Sequence, residues 1–187
     1  DPNDIIDTYG ADTARWFMLS DSPPERDLQW TDTGIAASFK FIKKLYDLIE
    51  KFKNYETSTK DNTEVIESLK LIINQVSEYI ELFQFNKSVA KIYEYVNIVN
   101  NSVSKSKLSK RDFMWSLNRL SIILQPFIPH ISEELWSSLG NRGLCIHENW
   151  IDENVSKKNK VKIAIQINGK TKQIIEIVIN ITLTTPM

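Results

Sequence analysis

With 187 residues, 42% of them hydrophobic and 25% charged, the chain can bury about 70% of the surface its unfolded form exposes, enough for one packed domain or one domain with a small appendage. Its 23 basic and 24 acidic residues leave a formal net charge of -1, which argues against an indiscriminate polyanion binder. One cysteine, Cys145, excludes an internal disulfide, and no apolar run reaches membrane-spanning length, so a soluble, cytoplasmic setting is expected.

The charge is nevertheless uneven: residues 1–100 hold 11 Lys+Arg against 17 Asp+Glu, and residues 101–187 hold 12 against 7, which leaves room for a local phosphate-facing surface. No signal-peptide pattern precedes the first elements, and an opening Asp1 in place of Met is expected of a piece of something longer. A short helical stretch around Ala14–Leu19 comes first, broken by Pro23 and Pro24, which withdraw a backbone donor and restrain the residue before them. A long helix is then predicted from about Asp32 to Phe52, with Ile35, Phe39, Ile42, Tyr46 and Ile49 as its inner stripe. The polar tract Asn54–Thr63 has no periodicity and is expected to be a loop.

Val65, Leu69, Ile72, Val76, Ile80 and Phe83 step by three and four, the spacing of one continuous helix face. Asn86 stands where an N-cap should, with Phe85 placed to staple onto Ala90, and Val89, Ile92, Tyr93, Val96 and Val99 give the next buried face. A second polar loop is expected over Asn100–Lys107. Ser109 and Asp112 have the spacing of a capping box, and Phe113, Leu117, Leu120 and Leu124 line a fourth long helix. Pro126 and Pro129 stop it, and His130–Leu139 is predicted as a short closing helix ended by Gly140. Beyond Trp150 the period changes to two. Val161, Ile163, Ile165 and Ile167 alternate with polar or small residues, Asn168-Gly169 offers a tight turn, and Ile174, Ile175 and Ile177 indicate a returning strand of uncertain register. The fold class is therefore mainly α, four long antiparallel helices with a small C-terminal β-hairpin. A hairpin without further sheet leaves unpaired edge groups, so residues 161–187 are expected to pack on the helices, pair with another chain or be poorly ordered.

No catalytic constellation can be assembled from these residues. Asp12 and Arg15, three apart on a helix, are expected to be an N-cap and a structural ion pair. Cys145 and His147 lack the further ligand pair a metal would need, and His130 stands alone. Trp16, Trp30, Trp115, Trp136 and Trp150 have the composition of base-stacking residues, but most are flanked by core-type neighbours, and burial is the simpler expectation.

The run Tyr9-Gly10-Ala11-Asp12-Thr13-Ala14-Arg15-Trp16-Phe17-Met18-Leu19, followed by Ser22-Pro23-Pro24-Glu25-Arg26-Asp27-Leu28-Gln29-Trp30, resembles the leucyl-tRNA synthetase family just downstream of its catalytic loop. Trp30-Thr31-Asp32, Phe85-Asn86-Lys87-Ser88-Val89-Ala90, Pro126-Phe127-Ile128-Pro129-His130-Ile131-Ser132-Glu133-Glu134-Leu135-Trp136 and Gln166-Ile167-Asn168-Gly169-Lys170 extend the resemblance, in the family's order, over about residues 1–178. Ile151 departs from it, where the family usually follows the tryptophan with proline, and the family's C-terminal domain goes on beyond Val178–Met187.

The resemblance implies the class I anticodon-binding helical bundle: residues 1–31 ending a stem-contact region, 32–150 the bundle, and 151–187 a linker and hairpin opening an incomplete C-terminal domain. It implies tRNA(Leu) and the remainder of the synthetase as partners, with ATP and Mg needed only by the missing catalytic part, so no cofactor is expected in this chain. Because phosphate contacts dominate the affinity of a polyanion binder, the basic residues are the candidate site. Three groups stand out: Lys40 and Lys44, positions that the resemblance turns toward tRNA; Lys105, Lys107, Lys110 and Arg111; and Lys157, Lys158, Lys160, Lys162, Lys170 and Lys172, a stretch without an acid between Asn154 and Ile175. The competing expectation is a helical scaffold or protein-interaction piece, with self-association through the hairpin edge.

Overall fold

The computed structural model describes residues 2–21, 27–56, 61–151, 153, 159–167 and 170–179. The chain divides into two compact units, residues 1–153 and 154–187. The regular elements described in the first are all helices, and they begin earlier than periodicity announces: α1 (Pro2–Tyr9) and α2 (Ala11–Asp21) replace the single short stretch expected. Gly10 alone separates them, at φ +83°, a conformation open to glycine and strained for a residue with a Cβ.

α3 (Asp32–Lys53) starts where Thr31 Oγ1 accepts the Gly34 N–H at 3.2 Å. Its buried stripe is not the one read from spacing. Ile35, Ile42 and Ile49 are buried, but Tyr46 is 49% exposed, and Ser38, Phe41, Leu45 and Leu48 are buried instead. Apolar residues occupy several faces of α3, so the helical period admits two stripes and only neighbours choose between them. Trp16 of α2 stacks on Phe41 at 4.5 Å, whereas Phe39 turns to Tyr9 of α1, 5.5 Å away, an element that periodicity did not reveal.

α4 (Thr63–Glu81) is capped by Asn62 Oδ1, which accepts the Val65 N–H, and buries Leu69, Ile72, Ile73 and Val76. The stripe stops before Phe83, which is 66% exposed at φ +55°. There the Phe83 N–H reaches Ile80 O at 3.0 Å and the Gln84 N–H reaches Tyr79 O at 2.8 Å, the paired bonds that close a helix through a left-handed residue. α5 (Phe85–Ser104) therefore begins at Phe85, so Asn86 lies inside it and is not the N-cap; Gln84 is the N-cap, and its side chain accepts from Lys87 Nζ at 2.8 Å and caps no backbone N–H. Ala90 is exposed and the expected staple is absent; Phe85 packs edge-on against Phe83 and Phe127. The helix also continues through the expected loop at Asn100, because Ser102 and Val103 are buried, and closes at Ser106 (φ +50°) by the same bond pattern.

α6 (Lys110–Leu124) buries Phe113, Leu117, Leu120 and Leu124. Half of the capping box forms: Ser109 Oγ accepts the Asp112 N–H at 3.0 Å, but the Asp112 carboxylate accepts the Asn62 N–H at 2.6 Å, tying the start of α6 to the start of α4. α7 (Pro129–Ser138) ends ahead of Gly140 at φ +81°, and a 3₁₀ turn follows at Cys145–His147. The core joins α2 to α7, with Trp16, Leu45, Leu69, Tyr95, Leu117 and Ile131 among its buried members. Tyr95 is fully buried and its hydroxyl donates to Ser116 O at 2.8 Å, which satisfies the one polar atom it brings inside.

In the second unit β1 (Asn159–Ile167) and β2 (Lys170–Ile179) pair antiparallel. Their register sets Val161 opposite Ile177 and Ile163 opposite Ile175, then shifts between Ile165 and Gln166. The expected turn at Asn168-Gly169 and residues 180–187 lie outside the described residues.

Candidate nucleic-acid interface

Two charged residues that sequence spacing set together are separated by the fold. Asp12 is 7% exposed and does not pair with Arg15; its carboxylate accepts the Ile131 N–H at 2.7 Å, the His130 N–H at 3.4 Å, and lies 3.0 Å from His130 Nδ1. It thus caps α7, whose own N-cap, Ile128, carries no acceptor. Arg15 donates from Nε to Phe127 O at 2.8 Å and from Nη2 to Pro126 O at 2.9 Å. Both groups clamp the turn between α6 and α7, a structural task.

The tryptophans divide. Trp16 is fully buried and donates to the Tyr93 hydroxyl at 3.0 Å, Trp136 is buried and Trp115 partly so, whereas Trp30 and Trp150 are 38% and 42% exposed. Cys145 is buried, and burial, reinforced by Glu133, pushes its thiol up against the opposing bond from Ser132, so it is a poor nucleophile. Among the described residues no group of three His, Cys, Asp or Glu side chains is placed to hold a metal.

The basic residues remain. On α3, Lys40 is exposed and Lys44, half-buried, donates to Asn97 Oδ1 on α5 at 2.6 Å. Two more lysines of α3, which the helical spacing likewise leaves outside its apolar stripe to find water or a partner, have partners here: Lys51 donates to Asn100 Oδ1 at 2.7 Å, and Lys43 Nζ lies 4.5 Å from the centre of the Phe39 ring. The available signal was the seven-residue step from Lys44 to Lys51 and the three-residue step from Asn97 to Asn100, which put each set on one helix face.

In the α5–α6 connection Lys105 and Lys107 are exposed. Lys110 is engaged inside the unit: its Nζ donates to Phe52 O at 2.6 Å and to Tyr55 O at 2.8 Å, closing the carbonyl end of α3, and lies 4.4 Å over the Phe52 ring. Arg111 is 87% exposed, 3.7 Å from Asp61. In the second unit Lys160 and Lys162 lie on β1, in register with Val178 and Glu176, while Lys170 and Lys172 lie on β2; Lys157 and Lys158 fall outside the described residues. No helix of the described residues is long and apolar enough to cross a membrane.

Comparison with known proteins adds to this geometry. Residues 62–185 match the family described as the anticodon-binding domain of tRNA ligase. The leucine–tRNA ligase of Dinoroseobacter shibae is 41% identical over 180 residues, covering 92% of this chain and 20% of the relative. That of Zymomonas mobilis is 37% identical over 174 residues, with the same coverage. The chain thus spans about a fifth of the length of the curated relatives it matches. Among solved structures, a LeuRS–tRNA–LeuAMS ternary complex from Agrobacterium radiobacter superposes with a TM-score of 0.79 at 27% identity, covering 97% of this chain and 25% of that one. A mainly helical unit of this form, aligned along nearly its whole length, places the chain in the leucine–tRNA ligase family, within the anticodon-binding helical domain.

Proposed function

We propose that this chain is the tRNA-holding helical portion of a leucine–tRNA ligase, an antiparallel four-helix bundle of the class I type over residues 32–150. Residues 1–31 end the stem-contact region before it, and residues 151–187 begin a C-terminal domain with the β1–β2 hairpin. It positions tRNA(Leu) by backbone contacts, while ATP-dependent leucylation belongs to the larger part of the relatives that this chain does not span. The observation that carries the reading is the likeness, over 97% of the chain, to a LeuRS solved together with tRNA. The lysines of α3 and of the α5–α6 connection support it, since they offer phosphate-seeking charge on an otherwise near-neutral molecule.

The test is a titration of the chain with tRNA(Leu) at low and at moderate salt. Binding that weakens steeply with salt and is lost in Lys40→Glu/Lys44→Glu supports the reading. Absence of binding at low salt leaves a scaffold for the rest of the synthetase, or self-association through the hairpin edge, as the better account. The chain with ATP, leucine and tRNA is expected to form no leucyl-tRNA.

A further inference from the structure

The helical lysines differ in what holds them. Lys53, Lys70 and Lys91 each lie within 3.0 Å of a glutamate three residues away, Glu50, Glu67 and Glu94, so their charge is compensated locally. Lys44 and Lys51 are held by the amide oxygens of Asn97 and Asn100. An amide oxygen orients an ammonium group but carries no net charge to cancel it, and each ammonium keeps further donors for another acceptor. The two lysines are seven residues apart on α3, about 10 Å along the helix at 1.5 Å per residue. All four side chains reach solvent: Lys51 and Asn97 are exposed, Lys44 and Asn100 half-buried.

We propose that this α3–α5 seam is a phosphate-binding row: Lys44 and Lys51 each contact a phosphate of the bound RNA, and Asn97 and Asn100 are positioning residues that aim them. The proposal rests on the reading that the chain holds tRNA, and it deepens that reading by naming a surface and the backbone chemistry it takes. Acids around the row set its approach. Asp47 lies between the two lysines on α3 and, with Glu50, Lys51 and Asn54, lines an open groove of about 400 Å³. Glu94, one turn before Asn97 on α5, is paired to Lys91. The anion is therefore placed on the α5 side, where the neutral amides stand.

The experiment measures binding of a tRNA(Leu) transcript to the 187-residue chain and its variants, by fluorescence anisotropy across about 50 to 200 mM salt, a range over which phosphate contacts show clearly. Removing two phosphate contacts flattens the slope of log K against log salt by about 1.4 to 1.8, and this is expected for Lys44→Gln/Lys51→Gln. Asn97→Ala/Asn100→Ala is expected to keep the slope and weaken binding several-fold, because charge stays and aim is lost. Asn97→Asp/Asn100→Asp is expected to weaken it more, because each lysine gains a carboxylate. Lys53→Gln, already paired to Glu50, is expected to change nothing. Circular dichroism of every variant reports retained helix. If the wild-type chain binds and Lys44→Gln/Lys51→Gln keeps its affinity and slope, the seam proposal is overturned and the tRNA reading stands. If the wild-type chain binds no tRNA at low salt, both fall. An alanine pair indistinguishable from wild type overturns the positioning role of the asparagines.

Discussion

Replacing Asp12 by alanine removes the capping group of a helix more than a hundred residues away in sequence. In the structure its carboxylate accepts the Ile131 N–H at 2.7 Å and the His130 N–H at 3.4 Å, in a site only 7% exposed, and α7 has no local substitute. A hydrogen bond to a charged acceptor contributes about 1.5 to 3 kcal/mol, and losing an N-cap costs about 0.5 to 2 kcal/mol, in part the same interaction counted twice. The 3.4 Å contact is long enough to add little. A loss of about 3 kcal/mol is therefore expected for Asp12→Ala, a large share of the roughly 5 to 15 kcal/mol that holds a domain together. Asp12→Asn keeps one acceptor and loses the charge that the N-terminal end of α7 favours, so about half that loss is expected. With a urea m-value near 2 kcal/mol/M, Asp12→Ala moves the midpoint down by about 1.5 M at unchanged m, read by circular dichroism at 222 nm. An alanine variant within about 0.5 kcal/mol of wild type, or one no worse than the asparagine variant, refutes the capping account.

Gly34→Ala tests packing against propensity, which here carry opposite signs. Helix propensity alone makes alanine better by about 0.8 to 1 kcal/mol, but its Cβ falls 2.4 Å from Phe17 Cε2 and 2.8 Å from Thr31 Oγ1, and Phe17 is buried with its ring against Trp30. A net loss of about 1 to 3 kcal/mol in thermal or urea unfolding is expected, and a gain refutes the α2–α3 packing. Tyr95 gives a pH dependence. Burial raises its phenol well above the ordinary value near 10, with the Arg119 charge opposing and Glu153 adding. A folded-state pKa above the unfolded one means stability that is intact below about pH 10 and lost as pH rises beyond it. Unfolding free energy is expected to fall steeply above that pH, and less steeply in Tyr95→Phe; equal slopes refute it.

The stripe of α4 from Leu69 to Val76 and the buried row of α6 were legible because a single apolar face at helical spacing has one way to be buried. The basic groups were legible as composition. What escaped was every decision made between elements. Phe39 and Tyr46 fit the period of α3 as well as Phe41 and Leu45 do, and it is the second pair that the packed core buries, with Trp16 of α2 stacked on Phe41. Asp12 and Arg15 sit three apart on one helix, yet Asp12 finds its partner at the start of α7 and Arg15 finds its own in the turn before it. Lys110 looked like Lys107 in sequence, but the carbonyls of Phe52 and Tyr55 claim it, while Lys107 stays exposed.

Sequence by itself determined the class of fold, the succession of the long helices and the family, because these depend on periodicity, on chain-breaking residues and on residue order, all local or linear properties. Tertiary structure alone decided which lysines meet neutral amide oxygens at the surface and which close a helix end. Hydrogen-bond partners such as Asn97 for Lys44 and Asn100 for Lys51 lie some fifty residues away and meet them only when α3 and α5 pack.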